Sequence, residues 1–317
     1  MTSAWVAGSV RARALARRRL GSDAARRLAG SASLAQALEV LAATPYGRDV
    51  RQGQTLPEAQ RAVASTLLWH LRVLAGWQPR DGVAMTRTLA GWFEIANTDE
   101  LVHALAGGQA ESPYQLGALT TAWSRLQSAS SPAELAEALA FSLWGDPGGQ
   151  EPRMLRLGMR MSWAAQVAML PEPAPFWATG AAALLVAGER FVTRRELPEQ
   201  VSERAARLLG SASLQATTLE ELGERLPAQA RWILQPAVTP SELWRLETRW
   251  WARVEHDGFA LLRSPGFTCE PVLGTIALLA TDAWRVRAAL EMAARGGTPM
   301  EAYDAAAYNM GADDALA

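Results

Sequence analysis

Residues 269–301 read CEPVLGTIALLATDAWRVRAALEMAARGGTPME, and the fold class follows from this stretch. Glu270-Pro271 opens it, and an almost unbroken apolar run covers 272–280. Thr281-Asp282 makes a polar step, after which Val286, Ala289, Leu290 and Ala293 keep helical spacing as far as Arg295-Gly296-Gly297. Proline at the start of a helix lacks only an N–H that would have no partner there, and glycine after a basic last turn ends one. The apolar half is shorter than the roughly 20 residues a helix needs to cross a bilayer. The stretch therefore predicts a buried helix in a helical protein and not a membrane anchor.

On the N-terminal side of it, nearly every segment reads as helix. Strand-like alternation is absent, and Ala and Leu dominate over Val, Ile and Thr. The informative signal is repetition. Gly30-Ser31-Ala32-Ser33-Leu34 recurs as Gly210-Ser211-Ala212-Ser213-Leu214, with Gln127-Ser128-Ala129-Ser130-Ser131-Pro132 between them. Each copy opens a short amphipathic helix, SLAQALEVLAAT, SPAELAEALAFSLWG or TTLEELGERL, and the copies lie roughly 80–100 residues apart. Ser33 with Gln36, Ser131 with Glu134 and Thr218 with Glu221 have capping-box spacing, in which the hydroxyl and the N3 side chain satisfy each other's orphan N–H groups.

A longer helix beginning near a proline follows in each copy: AQRAVASTLLWHLRVLAGW after Leu56-Pro57-Glu58, RMLRLGMRMSWAAQVAML after Glu151-Pro152, and LWRLETRWWARVEHDGFALL after the capping box Thr239-Pro240-Ser241-Glu242. Leu243, Leu246, Trp250 and Val254 make the apolar stripe of the last. A third element closes each copy at 92–106, 176–188 and 272–294, the first two opening on the aromatic pairs Trp92-Phe93 and Phe176-Trp177. The expectation is an all-α protein of three related helical-bundle domains, 1–112, 113–200 and 201–317, with Gly/Pro-rich loops at 146–152 and 171–175 and a tail that frays after Tyr308.

Composition narrows the function. The chain has 317 residues, 49% of them hydrophobic, which supports a sizeable core and argues against disorder. A net charge of −1 argues against a nucleic-acid binder that works through phosphate contacts. All 31 basic residues are Arg, which reads as a high-GC genome before it reads as a need for guanidinium. Cys269 is the one cysteine, so an internal disulfide and a thiolate metal cluster are excluded; it is expected to be a buried inert thiol. The basic, amphipathic start MTSAWVAGSVRARALARRRL shares its composition with transit peptides, but it runs smoothly into the next helix and is read as an ordinary first helix. The longest other apolar run, 177–188, is too short to span a membrane.

Catalytic patterns are missing from the sequence. His70, His103 and His256 have no partner His or Cys at ligand spacing. There is no HExxH, no GxxxxGK[ST] and no G-x-S-x-G. Asp313-Asp314 sits in a Gly/Ala tail, and Glu255-His256-Asp257 reads as a polar helix end. No catalytic, cofactor or metal residue is assigned. Among the 13 tryptophans most fit apolar helix faces, but Trp250-Trp251 cannot both face one core, so one of them, with Trp244, is expected to line a groove or interface. Arg17-Arg18-Arg19 and Arg194-Arg195 are solvated faces or, alternatively, patches for an acidic partner.

The order of these features resembles the V/A-type (vacuolar/archaeal-type) rotary ATPase family, in its C-type rotor component, the d-type of the eukaryotic enzyme. Glu270-Pro271-Val272-Leu273, Leu278-Leu279-Ala280, Asp282, Arg285, Arg287 and Arg295-Gly296 are similar to the family's last domain. Trp5, Val10-Arg11-Ala12-Arg13, Leu34, Ala37, Leu38, Leu41, Thr44-Pro45-Tyr46-Gly47, Phe93, Ile95 and Asn97 are similar to its first. The second domain matches least, and Trp284, Val286 and Arg287 stand where the family usually carries Glu and an Arg-Asn pair. The resemblance implies three domains about an approximate threefold axis, forming a funnel-like, non-catalytic rotor socket without a cofactor. It implies a seat between coiled-coil central-shaft subunits and the membrane proteolipid ring, on the cytoplasmic face, in proton or sodium transport. Two competing classes remain: a helical adaptor outside any rotary ATPase, and an all-helical prenyl-diphosphate enzyme, which would need two facing acidic clusters that the chain lacks.

Overall fold

The computed structural model describes residues 3–235 and 239–297. Its helices are α1 (Val6–Ala16), α2 (Ser22–Ala29), α3 (Leu34–Ala42), α4 (Leu56–Ala75), α5 (Arg80–Leu105), α6 (Trp123–Leu126), α7 (Pro132–Ala140), α8 (Pro152–Val167), α9 (Ala174–Ala187), α10 (Glu199–Leu209), α11 (Ser211–Leu214), α12 (Leu219–Arg225), α13 (Ala228–Arg231), α14 (Leu243–Leu262) and α15 (Glu270–Ala294). No strand occurs among the described residues, so the all-α class holds. No described helix is long and apolar enough to cross a membrane.

The chain divides into two units, one joining Met1–Thr86 to Trp251–Ala317 and the other covering Arg87–Trp250. In the first unit α15 is the central element, packing against α1, α2, α3 and α4. The expected apolar run is buried almost throughout, and so is the polar step: Thr281 and Asp282 lie inside one continuous helix. Thr281 satisfies its hydroxyl by donating to the Ala277 carbonyl at 3.0 Å. Val286, Ala289, Leu290 and Ala293 of α15 join Leu28, Ala37, Leu38, Leu41, Tyr46 and Val63 in one core. Each fully buried Leu or Val there contributes about 1.5–3 kcal/mol.

Among the described residues of the second unit, two cores share α8. Leu155 and Met159 face Ile95, Val102, Leu126, Leu135, Leu139 and Trp144. Leu157, Met161 and Ala164, on the other side of the same helix, face Ala183, Val186, Val201, Ala205, Leu222 and Leu246. Spacings of four and of four then three place each set on its own stripe.

Two expectations change in detail. The segment expected at 92–106 starts at Arg80, because Gly91 does not break the helix: a Cβ there would lie 3.0 Å from the Trp163 ring and 3.1 Å from that of Trp144, so two indoles pack where a side chain would stand. The boxes at Ser33, Ser131 and Thr218 are also not closed in the standard way. Each hydroxyl accepts from the expected N3 N–H. The Gln36, Glu134 and Glu221 side chains reach one residue further back, accepting from Ala32, Ser130 and Thr217 N–H. Long N3 side chains can bridge to the preceding residue, and Ser130 and Thr217 add a hydroxyl donor there that reinforces the reach. The full box forms at Thr55 with Glu58 and at Thr239 with Glu242.

Candidate functional site

The chemically distinctive feature of each unit is a buried carboxylate. Asp282, 2% exposed on α15, accepts from Leu20 N–H at 2.9 Å, Gly21 N–H at 2.8 Å and the Tyr46 hydroxyl at 2.8 Å. It thereby supplies the missing cap of α2 and pins the turn after α3. In the other unit Glu94, 1% exposed on α5, accepts from Thr121 N–H at 2.8 Å, Ala122 N–H at 2.7 Å and Trp144 Nε1–H at 2.6 Å. It caps α6 and pins the turn after α7. Carboxylates receiving several donors offset their own desolvation this way.

The parallel extends down to the turns. Thr44 donates to the Leu41 carbonyl at 2.6 Å and accepts from Tyr46 N–H at 3.2 Å. Ser142 donates to the Leu139 carbonyl at 2.7 Å and accepts from Trp144 N–H at 3.1 Å. The pairs 33/131, 36/134, 41/139, 44/142, 46/144 and 47/145 keep a constant offset of 98. The third copy departs. α10 starts behind Pro198, and Glu189 instead binds Arg153 at 2.7 Å.

Electrostatics around Asp282 are crowded. Burial pushes its carboxyl above the usual range, against the opposing pull of Gly21, Leu20, Tyr46 and the Arg19 charge. Burial, then the Asp282 charge, pushes the Tyr46 phenol well up. Arg285, 3% exposed, is held by both oxygens of Glu255. Arg19 lies 4.7 Å over the Phe259 ring, and burial draws its guanidinium down. The acidic residue of the resemblance thus points inward, capping a helix, and is not presented on the surface.

Other singled-out residues scatter. Trp250 joins the core of the second unit and donates from Nε1 to the Trp177 carbonyl at 2.7 Å, while Trp251 stacks on Trp284 at 5.5 Å in the first. The adjacent indoles do serve different cores, as the 100° step requires. The side chain of Trp244, the segment after Tyr308 and Asp313-Asp314 lie outside the described residues. Glu255 turns to Arg285, Asp257 to Arg253, and His256 is exposed, so the three do not converge. His103 is exposed as well, and no His/Cys/Asp/Glu group that could hold a metal occurs among the described residues. Arg17, Arg18, Arg194, Arg195 and Arg287 are exposed. Cys269 is half-buried, its thiol pushed up by burial and then by Glu270.

His70 is the buried histidine. Its imidazole is lowered to about 4, by burial first and then by Arg18, Arg48 and Arg11. The unfolded value lies near 6.5, so the unfolded chain takes up the proton first as pH falls. Stability present above pH 6.5 is therefore lost between 6.5 and about 4. His70→Gln is expected to flatten that dependence by about 2 kcal/mol, read from urea midpoints across this range.

Sequence reasoning misses the carboxylate staple: Asp282 stands out only as the one acid of its step, and Glu94 not at all. A lone acid inside an apolar helical stripe is the signal that points to both. No family model and no curated protein matches this chain.

Proposed function

We propose that the chain is a non-catalytic central-rotor subunit of a V/A-type rotary ATPase, a socket that couples the central shaft to the membrane proteolipid ring. One observation supports the reading above the rest. The same staple recurs in both units: a carboxylate on a long helix caps the first helix of a short bundle and grips an aromatic residue, and the two aromatics lie 98 positions apart. Repeated bundles of this kind are what the three-domain, pseudo-threefold resemblance implies. Each of the Ser/Thr-capped helices α3, α7 and α12 packs into a different core, which is in keeping with it. Close packing gives such bundles the stiffness that torque transfer requires. The resemblance also accounts for a membrane-complex subunit without a spanning helix among its described residues, since the ring supplies insertion.

The test is cross-linking mass spectrometry on native membranes, with the chain tagged. Cross-links to a long coiled-coil protein and co-purification of a very small hydrophobic ring protein are expected. An intact, active rotary complex recovered without this chain overturns the reading and favours a helical adaptor.

A further inference from the structure

Phe141, Leu143 and Met169 are the most solvent-exposed large apolar residues among those described, at 75%, 76% and 85%, and no other exceeds 55%. All three lie in the second unit. Phe141 and Leu143 stand in the turn after α7, and Met169 in the turn that closes α8. The two turns are tied together. Gln166 of α8 donates from Nε2 to the Leu143 carbonyl at 3.0 Å, and the Met169 N–H donates to the Gln166 carbonyl at 3.2 Å. Arg125 of α6 donates to the Phe141 carbonyl at 3.2 Å, and the Ser142 and Trp144 bonds fix the middle of the turn. A pinned backbone therefore holds these apolar side chains in water. Folding does not call for them there. In the first unit the equivalent turn closes through the same hydroxyl bonds at Thr44, yet 98 positions earlier Ala43 and Pro45 stand in place of Phe141 and Leu143. An exposed apolar cluster that the fold does not require marks a contact surface.

We propose that Phe141, Leu143 and Met169 form a docking site for an amphipathic helix of a protein partner, its apolar stripe flanked by basic residues. Three features select that occupant. The Phe141 and Leu143 carbonyls are already engaged by Arg125 and Gln166, so an extended peptide finds no backbone partners at them. A helix satisfies its own backbone and offers side chains alone. The exposed apolar area is roughly 400 Å², about half of the roughly 800 Å² per partner that a stable dimer buries, which suits a few turns of helix better than a second copy of the chain. The charges at the rim are mainly negative. Glu137, one helical turn before Phe141, and Glu172, three residues beyond Met169, are exposed and have no ion pair among the described residues, against the one guanidinium of Arg125. Two carboxylates call for basic flanks on the partner and oppose an anionic bilayer. Met169 adds an unbranched side chain that adapts to the stripe it meets. The proposal stands independently of the rotor reading.

The experiment is a calorimetric titration of the full chain with a synthetic Leu/Lys peptide whose leucines keep i, i+3, i+4, i+7 spacing. Saturable binding is expected, and a peptide of the same composition in scrambled order should not bind. Phe141→Ala with Leu143→Ala is expected to weaken binding about tenfold or more. Glu137→Gln with Glu172→Gln should weaken it less and flatten its salt dependence. Val10→Ala with Val40→Ala, exposed apolar positions of the first unit, should leave it unchanged. The melting temperature of each variant should match that of the parent chain, and Phe141→Ala alone carries the test if the double change lowers it. No saturable binding, equal binding of the scrambled peptide, or equal affinity in Phe141→Ala would each overturn the proposal. So would co-sedimentation with phosphatidylserine vesicles, or self-association in analytical ultracentrifugation, that disappears in Phe141→Ala with Leu143→Ala, since the patch would then belong to a lipid surface or to a second copy.

Discussion

Asp282→Ala is expected to destabilise the unit around α15 by about 4 kcal/mol. The substitution strips the acceptor from Leu20 N–H, Gly21 N–H and the Tyr46 hydroxyl together. Each buried donor left unpaired costs about 1–3 kcal/mol. It also removes the opposing charge that does most to favour the Arg19 guanidinium, which is already disfavoured by burial. Asp282→Asn should recover only part of the loss, because one of its two polar atoms becomes a donor facing a backbone N–H. Tyr46→Phe removes one hydroxyl and should cost about 1 kcal/mol. Hydrogen exchange read by mass spectrometry localises the outcome: protection should collapse in α2 and α15. Glu94→Ala should do the same to α5 and α6, since its three donors are equivalent. If α15 keeps full protection in Asp282→Ala, the carboxylate is not what holds these bundles.

The second large effect is expected at Gly274. Within α15 a Cβ at this position would lie 2.6 Å from the Gly258 carbonyl oxygen and 2.8 Å from the Leu261 Cβ of α14. Helix propensity alone would favour Gly274→Ala by about 1 kcal/mol. The backbone-to-backbone approach opposes that gain, because neither the carbonyl nor the helix it belongs to can move aside cheaply. Gly274→Ala is expected to be net destabilising by about 1 kcal/mol, and Gly274→Leu by about 3 kcal/mol, as overpacking separates the two helices. Urea denaturation of the two variants checks the order. A stabilised Gly274→Ala would mean that the crossing has slack.

Apart from the start of α5, the main helices and many of their caps follow from the letters alone, because the signals that set them are short-range. Proline stands at Pro57, Pro132, Pro152 and Pro271, hydroxyl caps at Ser33, Ser131 and Thr218, and apolar spacing runs along α4, α8, α14 and α15. The 98-residue offset between the first two copies is equally present in the letters, since the same cap and turn chemistry needs the same residues. What Asp282, Glu94, Gly91 and Gly274 are for is settled by long-range contacts instead. An acid in an apolar stripe reads alike whether it faces solvent, a partner or the N-terminus of another helix. The donors that settle it lie 262 residues away for Asp282 and 27 for Glu94. A glycine likewise reads as a helix breaker until a second backbone or an indole is found occupying the space its side chain would take.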